Sequence, residues 1–138
     1  HYSQDRSKQF FHSSSYTANP IGCAAALANL DIWRDEPVLE RVGVLAARQA
    51  EGLAMLAAVP GLTNPRQCGT MIAVDIEAGD AGYLADAGPR LKAFFTERGL
   101  LLRPLGNTVY VMPPYCISAD DLTAVHDAIA EAAGMFGC

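Results

Sequence analysis

The sequence predicts a small α/β domain in which about three antiparallel strands are covered by helices. Two observations carry this prediction. Segments with apolar residues at helical spacing are separated by short segments in which apolar and other residues alternate. In addition, 51% of the 138 residues are hydrophobic and 18% are charged, which is typical of a globular chain rather than a disordered one. The length suffices for one compact domain but is short for two.

The first predicted helix begins at Asn19 and Pro20, because Asn caps helix N-termini and Pro fits the first helical position. It runs to about Trp33, and its many alanines predict close backbone contact with another element. We expect residues 1–34 to be a loop and connecting helix from a larger domain that is absent here. Residues 35–138 would then form the small α/β domain.

A second helix is predicted from Glu36, an acidic residue that suits a helix N-terminus, to the Pro-Gly pair at Pro60. The segment 71–77 alternates apolar and other residues, which predicts a half-buried strand. Its apolar side would carry Ile72, Val74 and Ile76.

The last third of the chain is predicted to contain two further helices. One lies around Leu91 and ends near Gly99, a typical C-terminal cap. The other begins at Ser118, which with Asp121 forms a variant of the capping box. His126 falls on this helix, and we expect it to be solvated or half-buried.

Between these helices the sequence predicts a hairpin, with strands at 100–103 and 108–112 joined by the two-residue turn Gly106-Asn107. In that register Arg103 would lie opposite Tyr110, and directly opposed residues share a face. An arginine beside a tyrosine hydroxyl could hold a carboxylate, because guanidinium binds carboxylates through two hydrogen bonds. The alternative is an ordinary surface arginine stacked on a tyrosine.

Composition argues against several classes of partner. The net charge of −5 disfavours nucleic-acid binding and a basic membrane patch. No run of 18 or more apolar residues is present, so we expect no transmembrane helix. The first residues are polar and charged, unlike a signal peptide, and the chain opens without Met; we expect a piece of a longer cytoplasmic protein.

The four cysteines are widely spaced and offer no pattern of zinc ligands. We therefore expect no metal site, and we expect buried free thiols rather than disulfides, as suits a reducing cytoplasm. They are Cys23, Cys68, Cys116 and Cys138.

A cluster of hydroxyls precedes the first helix. Ser13, Ser14 and Ser15 are followed by further polar residues up to the helix start. Hydroxyl and backbone N–H donors beside a helix N-terminus could bind an anion such as phosphate. An ordinary polar loop with capping side chains is the alternative.

Two segments resemble a known family. Residues 10–33, FFHSSSYTANPIGCAAALANLDIW, resemble the stretch that follows the cofactor lysine in class III aminotransferases, fold-type I enzymes that depend on pyridoxal 5'-phosphate (PLP). Residues 97–118, ERGLLLRPLGNTVYVMPPYCIS, resemble their C-terminal domain. The resemblance covers nearly the whole chain and implies the C-terminal small domain of such an enzyme. Within the class, the segments around Arg103 and Tyr110 are most similar to the adenosylmethionine–8-amino-7-oxononanoate aminotransferases of biotin synthesis.

The resemblance also implies roles for individual residues. Ser15, where the family commonly has Thr, would bind the PLP phosphate of the neighbouring subunit, and Ser14 would contact the cofactor. Ser13 would lie against the substrate at a position where the family commonly has Gly, so its side chain departs from the pattern. Arg103 would hold the substrate carboxylate, with Tyr110 nearby.

For the intact protein, the resemblance implies a homodimeric enzyme that acts on small molecules. It would transfer an amino group from S-adenosylmethionine to 8-amino-7-oxononanoate and give 7,8-diaminononanoate. No catalytic residue can be assigned in this chain, because Lys8 and Lys92 are its only lysines and neither resembles the lysine that holds PLP. We therefore expect this fragment alone to be inactive.

Two alternatives stay open. The intact protein could be another class III transaminase that acts on an ω-amine with pyruvate. The chain could also be a non-catalytic, stand-alone module for binding or oligomerisation, a reading that the missing lysine favours.

Overall fold

The computed structural model describes residues 17–79 and 86–136. These residues divide into two compact units between Val38 and Leu39. They contain four α-helices and three β-strands in the order α1 (Pro20–Asp35), α2 (Val38–Leu56), β1 (Leu62–Cys68), β2 (Met71–Ile76), α3 (Ala87–Glu97), β3 (Thr108–Val111) and α4 (Ala119–Ala133). The predicted α/β class with three antiparallel strands is confirmed. The division of the chain into 1–34 and 35–138 stays a prediction about the intact protein.

Helix α1 begins where the sequence predicts. The Oδ1 of Asn19 accepts a hydrogen bond from the backbone N–H of Ile21 at 3.0 Å, and Pro20 occupies the first turn. The helix buries none of its residues. The close backbone contact that its alanines predict stays a prediction.

The sheet has the order β1-β2-β3, and both pairings are antiparallel. The predicted strand at 71–77 is confirmed as β2, the central strand. Its alternation places Ile72, Val74 and Ile76 in the core, where each is at most 2% exposed. Val109 and Val111 of β3 join them on this inner face.

The helices α2, α3 and α4 supply the other side of the core, through residues that include Leu56, Leu91, Phe95, Val125 and Ile129. Burying one such side chain contributes about 1.5–3 kcal/mol, so this layer holds the sheet to its helices. The predicted ends are also confirmed: Gly99 follows α3 with a φ of 73°, and the Oγ of Ser118 accepts a hydrogen bond from the N–H of Asp121 at the start of α4.

One strand prediction is wrong. Residues 100–103 form no strand, whereas residues 62–68, for which no strand was predicted, form the edge strand β1. The apolar run fails as a strand partly because the N–H of Leu100 bonds to the carbonyl of Phe95 and because Pro104 has no N–H to donate. Only Leu62 of β1 is buried, so its sequence shows no alternation of apolar residues.

The prediction of buried thiols is also wrong. Cys23, Cys68 and Cys116 are free, but all three are exposed. Cys23 lies on α1, which buries nothing, and Cys68 ends an edge strand. Cys138 lies outside the described residues. Among the helices of the described residues, none combines the length and apolar character that a bilayer span requires.

Candidate functional site

The predicted two-residue turn at Gly106-Asn107 is confirmed. The N–H of Leu105 donates to the carbonyl of Thr108 at 2.9 Å, and the N–H of Thr108 donates back at 3.1 Å. Gly106 has a φ of 63°, a left-handed conformation that glycine adopts without strain. The chain therefore reverses direction here and enters β3.

Neighbouring elements hold this turn in place. The side-chain amide of Asn107 donates to the carbonyl of Ile76 at 3.1 Å, and the backbone carbonyl of Asn107 accepts from the N–H of Ile76 at 2.9 Å. On the other side, a Cβ on Gly88 would lie 3.3 Å from the carbonyl oxygen of Gly106. The end of β2 and the start of α3 thus fix the turn that follows Arg103.

The predicted pairing of Arg103 with Tyr110 is wrong. Tyr110 pairs with Ala73 of β2 and lies half-buried on the outer face of the sheet, opposite the core. Arg103 is exposed in an irregular segment. Within the described part of the chain its guanidinium has no hydrogen-bond or ion-pair partner. The structure therefore leaves this cation available, but it does not pair the two residues in a hairpin.

A polar network that the sequence did not predict lies on the same outer face. The carboxylate of Asp75 accepts hydrogen bonds from Arg66 at 2.9 Å, Asn64 at 3.0 Å and Thr108 at 2.7 Å. Partial burial by itself raises the pKa of Asp75, but these donors and the charge of Arg66 outweigh it, so the pKa lies below its ordinary value. The carboxylate links all three strands.

This network also stabilises an irregularity in β1. The register of β1 against β2 shifts between Thr63 and Arg66, and Asn64 has a φ of 49°, which is uncommon for a residue with a side chain. Arg66 donates to the backbone carbonyl of Asn64 at 2.8 Å. The bulge is thus held by the same side chains that bind Asp75, and its role is structural.

A second buried polar pair joins α2 to α4. The Nε2 of His126 lies 2.8 Å from the Oε1 of Gln49, and the Nε2 of Gln49 donates to the carbonyl of Thr70 at 2.9 Å. The expectation of a solvated or half-buried His126 is wrong, since it is only 5% exposed. Its ring fits because Gly52 of α2 has no side chain to meet it.

The remaining predicted site residues cannot be placed. Ser13, Ser14 and Ser15, the candidate phosphate and substrate contacts, lie outside the described residues, as does Lys8. Lys92 is exposed on α3, so the described residues include no lysine set in a pocket. These residues do not by themselves form a place for the ring of PLP.

Comparison with known proteins places this domain in a family. The sequence model of the class III aminotransferases matches residues 3–133. The chain belongs to the class III aminotransferases. Its curated relatives include an adenosylmethionine-8-amino-7-oxononanoate aminotransferase of Synechococcus elongatus, which is 43% identical over 122 residues. Another, from Helicobacter pylori, is 36% identical over 133 residues.

Solved class III structures share the fold. The adenosylmethionine-8-amino-7-oxononanoate aminotransferase of Methanocaldococcus jannaschii matches 96% of the chain with a TM-score of 0.78 and 28% identity. The PMP-bound aminotransferase of Vibrio fluvialis matches 93% with a TM-score of 0.74 and 29% identity. The chain spans 31% and 29% of the length of these two structures. It spans 28% of the length of the Synechococcus relative, and that match covers 88% of the chain.

Proposed function

We propose that the intact protein is a PLP-dependent transaminase of biotin synthesis. It would move an amino group from S-adenosylmethionine to 8-amino-7-oxononanoate and give 7,8-diaminononanoate. The single observation that carries the proposal is the 43% identity, over 88% of the chain, to a relative named for this activity. Relatives from Anoxybacillus flavithermus, Geobacter sulfurreducens, Methanocaldococcus jannaschii and Helicobacter pylori carry the same name.

Arg103 is the residue of this chain that we assign to the keto substrate. Its guanidinium is exposed and has no partner among the described residues, so a substrate carboxylate would not compete with an internal ion pair. The turn at Gly106-Asn107, held by Ile76 and Gly88, would fix the segment that carries it. Holding the far end of a substrate in this way places its reacting carbon reproducibly.

Tyr110 is assigned a supporting role in the same contact. It follows the turn on β3 and lies half-buried on the outer sheet face. Its ring is therefore carried by a backbone segment that the sheet holds in place. Because it is not paired with Arg103, the two residues would meet the substrate from separate elements. A tyrosine hydroxyl can donate to a carboxylate that a guanidinium also binds.

PLP, when bound, serves as the electron sink that lets an amino group pass between two substrates. We propose that Ser15 and Ser14 contact its phosphate end and that Ser13 lies towards the substrate. Hydroxyl and backbone N–H groups ahead of the capped start of α1 suit a phosphate, since helix N-termini favour anions. The lysine that holds PLP would come from another part of the intact protein, so the chain alone is expected to be inactive.

A second candidate is a class III ω-transaminase. It is favoured by the similarity of the fold to solved enzymes of that kind, such as the ω-transaminase of Thermomicrobium roseum, with a TM-score of 0.75 and 27% identity. This backbone is therefore shared by enzymes with different substrates. A stand-alone binding or oligomerisation module is the non-catalytic alternative.

Substrate profiling of the intact protein tests the proposal. Purified enzyme with added PLP would be offered S-adenosylmethionine or a simple ω-amine as donor, and 8-amino-7-oxononanoate or pyruvate as acceptor. We expect turnover with S-adenosylmethionine and 8-amino-7-oxononanoate. Turnover with only the ω-amine and pyruvate would favour the second candidate. A full-length protein that binds no PLP and shows no transamination would favour the non-catalytic module.

A further inference from the structure

We propose that Gln49 and His126 form a pH-sensitive latch. It would hold α4 against α2 and against the β1–β2 turn while the imidazole is neutral, and release them when the imidazole is protonated. This device is independent of the proposed transamination, because it rests only on contacts inside the small domain.

The hydrogen bonds of the latch run in one direction. The amide nitrogen of Gln49 donates to the backbone carbonyl of Thr70 at 2.9 Å, so the oxygen of the same amide must face His126. An amide oxygen can only accept. The Nε2 of His126, 2.8 Å away, therefore carries the proton and donates it. One side chain on α2 thus ties α4 to the turn between β1 and β2.

Both members of the latch are buried. Gln49 is 0% and His126 is 5% exposed, and they are the buried polar residues of the described core. The imidazole lies against α2 at Gly52, where a Cβ would lie 2.7 Å from its Nε2. A neutral ring suits this contact, whereas an imidazolium would have to give up most of its hydration there.

The other ring nitrogen has a route to solvent. Every buried polar side-chain atom in the described residues has a hydrogen-bond partner, yet no partner is present for Nδ1 of His126. Nδ1 must therefore keep some contact with solvent. A cleft of about 180 Å³ reaches the ring between α2 and α4, lined by residues that include Arg48, Glu51, Leu122 and Thr123. This cleft would give a proton a route to the ring of His126 without unfolding the domain.

The charges around the ring act in opposite directions. From α2, Arg48 disfavours and Glu51 favours an imidazolium at the cleft. On α4 itself, the neighbouring Asp127 favours it, whereas Gly69 and Thr70 of the turn carry no charge. Burial outweighs the favourable charge of Asp127 and lowers the pKa of His126 below its ordinary value of 6.5.

The direction of the pH effect follows from this balance. Because the pKa of His126 is lower in the folded chain than in the unfolded chain, the folded state binds fewer protons between the two values. The contribution of the neutral ring to the free energy of unfolding is therefore complete above pH 6.5. It decreases as the pH drops from there towards the folded pKa. Protonation at Nδ1 leaves the Nε2–H in place, so the release depends on solvation. The imidazolium is better hydrated in the cleft than against Gly52, and when the ring moves there the buried oxygen of Gln49 loses its donor.

Nuclear magnetic resonance on the 138-residue chain tests the latch. The ring of His126 and the side-chain amide of Gln49 would be followed from about pH 8 to about pH 5. We expect His126 to titrate below its ordinary pKa. We also expect the Gln49 amide protons to lose protection from exchange as it does so, by a factor set by the difference between the unfolded and folded pKa of His126.

Two variants complete the test. His126→Gln identifies the ring signal by its loss and retains an N–H donor that does not titrate, so its Gln49 protection should not depend on pH in this range. Gln49→Glu places a carboxylate beside the ring and should raise the pKa of His126 above its ordinary value. The latch is refuted if wild-type His126 titrates at or above its ordinary pKa, or if Gln49 stays protected after His126 is protonated. An unchanged pKa in Gln49→Glu would also refute it.

Discussion

The imidazole of His126 lies against the backbone of Gly52, so closely that a side chain at this position of α2 would overlap the ring. A Cβ on Gly52 would overlap Cε1 and Nδ1 of the ring and would lie 2.7 Å from Nε2. Glycine in a helix interior is less stable than alanine by about 1 kcal/mol. Helix propensity alone would therefore favour alanine at this position, and the contact between α2 and α4 reverses that preference.

Gly52→Ala should destabilise the domain. The added methyl group would displace His126 and its bond to Gln49, at a cost of about 1–3 kcal/mol from overpacking, partly offset by the better helix propensity of alanine. The change in free energy of unfolding would be measured by urea denaturation.

Gly43→Ala is the matched control for that substitution. It lies in the same helix, and a Cβ there would meet nothing within 4 Å. It should therefore stabilise the domain by up to about 1 kcal/mol. If both variants were equally stabilising, the position of His126 over Gly52 would be wrong.

Acid should weaken the network around Asp75. The pKa of Asp75 is lowered in the folded chain. The contribution of its carboxylate to the free energy of unfolding is therefore complete above the unfolded pKa near 3.8, and it is lost as the pH falls through the folded pKa. Asp75→Asn should lower the free energy of unfolding at neutral pH by about 1–2 kcal/mol, a range kept small because Arg66 is half exposed. It should also flatten the acid limb of a stability-against-pH curve.

Glu77→Gln provides the comparison for Asp75. Glu77 is exposed immediately after β2, and its loss removes the same charge without removing the bonds from Arg66, Asn64 and Thr108. Its acid profile should match that of the wild type. If Glu77→Gln lost as much stability as Asp75→Asn, the effect would come from the change in net charge and not from this network.

In the transaminase proposed above, Arg103→Ala should raise the KM for 8-amino-7-oxononanoate by about 10- to 150-fold, which corresponds to the loss of one charge-assisted contact of ~1.5–3 kcal/mol. The KM for the amine donor should change little. Lys92→Ala, which removes a positive charge from an exposed position on α3, should leave both constants unchanged. An unchanged KM for the keto substrate in Arg103→Ala would remove Arg103 from this role.

Ser15→Ala should weaken the retention of PLP by the intact enzyme, because it removes one hydroxyl from the proposed phosphate contact. Ser15→Thr keeps the hydroxyl and should retain the cofactor as the wild type does. Cofactor content after dialysis, followed by absorbance, measures both. If Ser15→Ala retained as much PLP as the wild type, other groups would have to make the phosphate contact.

Local patterns predicted much of the fold. The alternation of Ile72, Val74 and Ile76 predicted both the strand and the side that faces the core. Capping at Asn19 and Ser118 predicted the starts of α1 and α4 to within a residue, because the groups that cap a helix lie within three residues of its first turn.

Prediction failed where an element depends on distant partners. β1 contains Pro65 and buries only Leu62, so little in its own sequence indicates a strand. It is held instead by its antiparallel pairing with β2 and by the bond from Arg66 to Asp75, nine residues further along the chain. The opposite error occurred at 100–103, where an apolar run lies beside no partner strand.

By itself, then, the sequence determined the family, the α/β class, the starts of α1 and α4 and the turn before β3, since each depends on neighbouring residues or on a shared motif. Only the tertiary structure decided that Tyr110 pairs with Ala73 and not with Arg103, and that His126 is buried over Gly52. The strand partner of Tyr110 and the burial of His126 depend on which distant segments meet. A residue's own neighbours in the chain do not encode that choice.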